Sequence, residues 1–405
     1  MIKFVYLSLT LLFSTYSHAQ KSLVEISSLD PADTNYADFK KMGINFNEIT
    51  VISLGESTHG TAEFTFMRHR LYRYLVENHD FNTLFLELDY SFGLVANSYV
   101  QNERDYTEEE ILISLKYWPS QSKELLDLLK WMRLYNETHP NELKVVGTEG
   151  QEFSAPFKLM VDFFSINKIP FKTDSIFYKA KVSTDVLKDK QYTTKLLNSI
   201  EESKKDYLIK HSDRKDSLYL IQLINNIHQS IRKKSEGYPK NQTSRNKSVS
   251  DNILFQINNY PNTKGMYIAQ NAHIFNRKHY QWYAAGYFLK KELGNQYFSI
   301  AQDFYEGSFI AGQLDPSLGL LRLKSIYTDN TEKFSLTNQY IENYQIAAYI
   351  PISKVKKARK MKLHVIGARL EQVHGIPFEK NIKGYDGVIL IKKSTPLQLL
   401  LQDKE

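Results

Sequence analysis

Five short apolar runs, rich in valine, isoleucine and phenylalanine, limit what this chain can fold into: residues 50–54 (TVISL), 83–88 (TLFLEL), 143–146 (LKVV), 265–269 (GMYIA) and 297–301 (YFSIA). They lack the polar alternation of a strand with one wet face, so they read as strands buried on both faces. Longer segments with helical spacing separate them, the pattern of strands joined by crossover helices. The chain therefore reads as an α/β protein, an open and mostly parallel sheet with flanking helices and a helical insertion. Phe64, Met67, Leu71, Tyr74 and Leu75 give a helix over 61–78 with one buried stripe, and a second helix is expected over about 122–137. The insertion spans about 173–237, where Leu220, Leu223, Ile224, Ile227 and Ile231 keep helical spacing up to a C-cap at Gly237. Residues 240–247 (KNQTSRNK) read as an exposed connection, and beyond Lys324 only a strand at 387–391 (GVILI) stands out.

The first residues read differently. Lys3 precedes an apolar stretch over 4–13, and Ser17-His18-Ala19 offers a cleavage site before Gln20, so residues 1–19 read as a signal peptide and 20–405 as one exported domain, periplasmic or secreted. A run of about ten residues is too short to span a bilayer, which takes about 20. With no cysteine, disulfides, thiolate catalysis and thiolate zinc sites are excluded. The formal charge of +7 is spread thinly, and its densest run, 354–362 (KVKKARKMK), has no recognition motif or aromatic platform beside it. It reads as a solvated face. Neither a nucleic-acid partner nor, after leader removal, a membrane is implied, and the sequence is silent on oligomeric state.

In an open parallel sheet the ligand site lies outside the carboxyl ends of the strands. Here the first strand runs into Gly55-Glu56-Ser57-Thr58-His59-Gly60, the second carries Glu87, the third leads to Glu149, the fourth to Gln270-Asn271-Ala272-His273 and the fifth to Gln302-Asp303. Any one of these alone would be an ordinary loop residue; together they place three glutamates, two histidines and an aspartate on one edge. A histidine whose second nitrogen is held by an acid can take a proton from water, and either Glu56 or Glu87 could orient His59. Arg68 sits on the margin of the 61–78 stripe, placed either to stabilise an oxyanion or to form an ion pair with Glu63 or Glu87. The serine of this loop fails the G-x-S-x-G pattern, because position 59 is histidine. The ligand types would suit zinc, but no tight ligand pair such as H-E-x-x-H is present.

The loop Gly55-Glu56-Ser57-Thr58-His59-Gly60, followed by Phe64, Arg68, His69, Arg70 and Leu71, resembles the G-E-x-T-H-G signature of the erythromycin esterase family. Phe85-Leu86-Glu87, the segment 131–136 (WMRLYN), Gln270-Asn271-Ala272-His273 and 293–297 (LGNQY) look like that family's later blocks, in the same order. The resemblance implies that His59 is the general base for water, with Glu56, Glu87, Arg68 and His273 orienting it and supporting the transition state. It implies no metal and no organic cofactor. Its substrate would be a small molecule, the lactone of a 14-membered macrolide, whose opening inactivates the antibiotic. Glu149 stands where that family more often has aspartate, and the leader sets the chain apart from cytoplasmic resistance enzymes. Glu149, Asn271 and Trp118 are the expected substrate-binding residues, with Tyr117 and Trp282 as further aromatic candidates for the wall of an apolar cleft. The alternatives are the same chemistry on another ester, such as a substituent of an envelope polysaccharide, and a metal-dependent or non-catalytic envelope protein.

Overall fold

The computed structural model describes residues 23–401, apart from 140–141, 172–183, 279–280, 316–319, 330–331, 333, 342, 356, 371–377 and 381. The expected leader and residues 173–183 of the expected insertion lie outside the described residues. The strands are β1 (Val24–Ile26), β2 (Val51–Leu54), β3 (Thr83–Asp89), β4 (Lys144–Glu149), β5 (Gly265–Ile268), β6 (Tyr297–Asp315), β7 (Leu320–Asp329), β8 (Ala347–Pro351), β9 (Lys362–His364), β10 (Phe378–Lys380) and β11 (Gly387–Ser394). Nine of them make one sheet in the order β1-β8-β11-β6-β2-β5-β3-β4, with β7 paired to β6. From β11 to β4 every neighbouring pair is parallel; β1, β8 and β7 add antiparallel pairings.

The lack of polar alternation has the expected cause. Ile52, Leu84, Leu86 and Met266 enter one hydrophobic core, while their neighbours Val51, Phe85 and Tyr267 enter a second on the opposite face. Successive side chains in a strand point to opposite faces, so a sheet covered on both sides needs apolar residues at both parities. Helices cover the two faces: α1 (Ala37–Lys41), α2 (Ala62–His79), α3 (Tyr90–Val100), α4 (Glu108–Leu115) and α5 (Lys123–Thr138) precede β4, and α6 (Ser154–Ile166) follows it.

Between α6 and β5 stand α7 (Lys190–Lys210), α8 (Arg214–Ser235) and α9 (Lys240–Asn259). The first two build a core of their own with α6, in which Leu220, Leu223, Ile224, Ile227 and Ile231 pack on Phe163, Phe164 and Tyr207. Helix α8 ends at Ser235 with Glu236 extended, so Gly237 is not its cap. A larger correction concerns 240–247, which form the first turns of α9 and not an exposed connection. The buried face of this helix includes Asn246, Ser248, Ser250 and Asn252 beside Val249 and Ile253, so its hydrophobic signal is weak. What holds it is a sealed hydrogen-bond network. The Asn252 side chain donates to Thr148 O at 2.8 Å, and its Oδ1 accepts from Gln222 Nε2 at 2.8 Å and Gln229 Nε2 at 2.9 Å.

Each buried donor or acceptor left without a partner costs about 1–3 kcal/mol. Replacing Asn252 with Ala strands groups on Gln222, Gln229 and Thr148 at once. Chemical denaturation is expected to show a loss of about 3 kcal/mol in unfolding free energy, with the slope against denaturant unchanged.

Candidate active site

The site follows from the strand order. β2, β5, β3 and β4 are consecutive neighbours and parallel, so the chain segments leaving them emerge side by side along one edge. They open onto a cavity of about 600 Å³ whose wall includes His59, Glu87, Glu149, Arg245, Gln270 and His273.

The loop after β2 is shaped by what lies against it. A Cβ on Gly55 would come within 2.2 Å of Asn271 Oδ1, and one on Gly60 within 1.9 Å of Ile310 O, so neither position has room for a side chain. A strap from the far end of the chain clamps the loop: Ser57 O accepts from the Ile366 and Gly367 amides, and His59 N donates to Gly367 O at 3.1 Å. The strap is anchored in turn by Asp303, which accepts from His364 N at 3.1 Å and from its Nδ1 at 2.8 Å.

Held in this way, His59 Nδ1 lies 2.5 Å from Glu56 Oε1, and the other oxygen of Glu56 accepts from Arg68 Nη1 at 2.7 Å. Of the two glutamates open to that role, Glu56 is the one that orients the ring. The Nδ1–H of the neutral imidazole then donates to Glu56, leaving Nε2 with its lone pair. Burial pushes the His59 pKa down, but the Glu56 charge, its hydrogen bond and the more distant Glu87 outweigh that and raise it above the ordinary 6.5.

On the other side, Glu87 on β3 and Glu149 at the end of β4 close on one guanidinium. Arg245 Nε donates to both oxygens of Glu149 at 2.9 Å, Nη2 bonds Glu149 and reaches Glu87 Oε1 at 2.8 Å, and Nη1 donates to His273 Nε2 at 3.1 Å. Glu87 Oε2 accepts from Gln270 N at 2.9 Å. Burial alone would raise Glu87, but His273, Arg245 and His59 together hold it down at about 2. Burial pushes His273 down to about 4 with help from Arg245, against the pull of Glu87. Its tautomer follows from its neighbours. Asn246 Nδ2 donates to Gln242 O at 2.9 Å, so Asn246 Oδ1 faces His273 Nδ1 at 2.7 Å and accepts its proton. His273 is therefore a neutral ring whose Nε2 accepts from Arg245.

Glu56, His59, Glu87, His273 and Glu149 are thus brought together, and three expected roles are corrected. Arg68 does not line the large cavity; it is committed to Glu56 and to Ala269 O at 3.2 Å, so it fixes the acid behind His59 and does not face an oxyanion. Its ion-pair partner is neither Glu63 nor Glu87. Asn271 does not reach the cavity, because its side chain donates to Gln302 O at 2.9 Å and accepts from Gln302 N at 3.2 Å, tying the segment after β5 to β6. Trp118 is displaced from the wall by the chain's course: Lys116 takes a left-handed conformation (φ 55°) and residues 118–120 form a tight turn, so Tyr117 lines the cavity in its place, together with Phe92. Trp282 packs against the second core. Asp303 lies fully buried inside β6, which runs on to Asp315 well past the expected end at 301. Ser57 is sealed at 0% exposure and is absent from the wall.

Sequence reasoning missed Arg245, the strap residues and Asp89. Stepping back from Ile253 and Val249 by three and four residues reaches Asn246 and Arg245, a signal obscured because those positions are polar. Asp89 lines the cavity while accepting from the Gln151 and Glu152 amides at 3.1 and 2.8 Å. Burial raises it to about 6 despite those bonds. Among the described residues no group of three or more histidine, aspartate and glutamate side chains is arranged to hold a metal ion.

Removing the guanidinium leaves Glu87 and Glu149 facing each other unpaired, and breaking a buried pair costs about 3–5 kcal/mol. For Arg245→Met we expect about 3 kcal/mol of destabilisation at pH 8. With the Arg245 charge gone, burial of Glu87 is less opposed and its pKa moves up, so the variant loses less stability than wild type as pH falls and the difference between them shrinks. Denaturation of both proteins at pH 8 and pH 5 checks the sign.

The family model for erythromycin esterase matches residues 76–393, which leaves the loop carrying His59 outside the matched span. An Escherichia coli protein, erythromycin esterase type II, is 30% identical over 142 residues, which is 34% of this chain and 33% of that protein. The match thus spans about a third of that relative's length. Among solved structures, a Bacillus cereus protein superposes with a TM-score of 0.80 at 19% identity, covering 95% of this chain and 98% of its own. A succinoglycan biosynthesis protein gives 0.77 at 19%, covering 95% and 98%. An erythromycin esterase mutant in its open conformation gives 0.69 at 16%, covering 92% and 97%. At these identities the three agree on the fold alone.

Proposed function

The chain belongs to the erythromycin esterase family, and from that premise we propose that it hydrolyses the lactone ester of 14-membered macrolides with water activated by His59, without a metal, and so inactivates the antibiotic. The observation that carries this reading is the Arg68–Glu56–His59 chain ending at the cavity wall. Glu56 fixes the ring through Nδ1 and leaves Nε2 as the site for a proton taken from water.

As water oxygen attacks the ester carbonyl carbon, its proton passes to His59 Nε2. The tetrahedral intermediate then collapses, the acyl C–O bond breaks, and the departing alkoxide takes the proton back from His59. The products are a carboxylic acid and an alcohol, joined in one open chain when the ester is a lactone. Glu87 supports the imidazolium by charge, and Arg245 keeps Glu87 ionised. The residual negative charge of Glu56 does the same from the other side, with Arg68 preventing it from swinging away.

A second reading keeps the chemistry and changes the ester. Asp89, Glu149, Gln151, Glu152, Gln270 and Arg369 outnumber the apolar residues of the wall, and the expected tryptophans are absent from it. Such a wall suits a polar ester, including a substituent on an envelope saccharide. Fold does not decide between them. Export through the leader at 1–19 belongs to the proposal on either reading.

Incubation with erythromycin, followed by mass spectrometry, is expected to give a product heavier by one water. His59→Ala should lower kcat by about 10²–10⁴-fold. An acetylated saccharide run in parallel decides the substrate, and turnover that chelator abolishes and metal restores contradicts the metal-free scheme.

The base must be neutral to act. Because Glu56 and Glu87 raise His59 above 6.5, kcat/KM should climb with pH through a midpoint above that value. An acid limb centred below 6.5 would contradict His59 as the titrating base.

A further inference from the structure

Ester hydrolysis needs a donor for the oxygen that becomes negative as water adds, and most of the strong donors near His59 are already committed. Arg68 bonds Glu56 and Ala269 O, and Arg245 bonds Glu149, Glu87 and His273. His273 presents an acceptor, since its proton is held by Asn246. Tyr117 is different. It lines both the 600 Å³ cavity and the smaller one behind it that contains Glu56 and Arg68, and its ring stands edge-on to His59 at 5.9 Å. Its hydroxyl has no hydrogen-bond partner among the described residues.

Taking the ester-hydrolase reading as given, we propose that the phenol of Tyr117 is a catalytic residue that donates a hydrogen bond to the carbonyl oxygen of the bound ester and to the oxyanion that forms from it. The reacting carbon must lie within reach of the water activated by His59, and Tyr117 is the wall residue whose ring lies against that histidine. A neutral donor suits this wall, because Glu87, Glu149 and Glu56 would repel a substrate that arrived already anionic. The donor also persists: burial and the charges of Glu87 and Glu56 push the phenol well above its ordinary value, so it stays protonated wherever His59 can act as base. The local backbone fixes the placement, since the left-handed Lys116 ends α4 and Tyr117 N donates to Leu115 O at 2.7 Å.

Tyr117→Phe keeps the ring against His59 and deletes only the hydroxyl. The test compares wild type and Tyr117→Phe on two probes, erythromycin and p-nitrophenyl acetate, with thermal unfolding as a control for the fold. On any probe that wild type turns over, kcat should fall by about 10²–10³-fold, the loss found when one oxyanion donor is removed. KM should move little, and the acid limb should stay where it is. A loss of similar size on both esters supports donation to the acyl oxygen, because a p-nitrophenolate leaves without needing a proton. A variant that keeps kcat within about twofold, or loses it only through a lowered melting temperature, overturns the role of Tyr117 while leaving the hydrolase reading intact. If wild type hydrolyses neither of these probes nor an acetylated saccharide, the ester reading falls and this inference falls with it.

Discussion

Two carboxylates on adjacent parallel strands line one cavity, and a cation set between them offsets their mutual repulsion. Glu87 and Glu149 are those carboxylates, and the guanidinium of Arg245 is that cation. A planar fork with five donors suits the task better than an ammonium would, since it bonds both oxygens of one partner and still reaches a second acid and a histidine. The arrangement also joins two parts of the fold. Arg245 belongs to the helical region that covers the sheet, while its partners belong to β3, β4 and the segment after β5, so the integrity of the wall depends on that helix being seated.

The electrostatics divide the two histidines. His59, backed by Glu56, is moved upward against its burial; His273 is moved downward by burial, with help from Arg245. Environments that push like groups apart are how one site assigns proton transfer to one residue and neutral scaffolding to another. Glu87 acts on both rings, so its ionisation links the half of the site built on β2 to the half built around α9.

Much of this was legible in the sequence, for a physical reason. A sheet covered on both faces writes itself as uninterrupted apolar runs, and the edge where ligands bind then falls at the ends of those runs. Hence Glu56, His59, Glu87, Glu149 and His273 could all be named before their distances were known. What was hidden had the opposite chemistry. Helix α9 is held by amide networks instead of an apolar stripe, so a hydrophobic-period reading passes over it and over Arg245 with it. β6 was cut short because periodicity marks where burial changes, and the strand runs on for many residues as one arm of a hairpin with β7. Asn271 and Trp118 were misassigned because proximity in sequence to a strand end or a turn says nothing about which of two neighbouring side chains turns inward.

The strap across the loop after β2 has a consequence for assembly. The Thr58 hydroxyl donates to Gly367 O at 3.4 Å, 309 residues further along, and β11, formed still later, slots between β8 and β6 inside the sheet. A ribosome emits a chain from its N-terminus, and domains generally complete only when their last contacts are made. The histidine that would do the chemistry is therefore among the first residues synthesised and among the last to be locked in position. A nascent or truncated chain ending before the strap carries every expected acid and base of the site, yet cannot hold them in register.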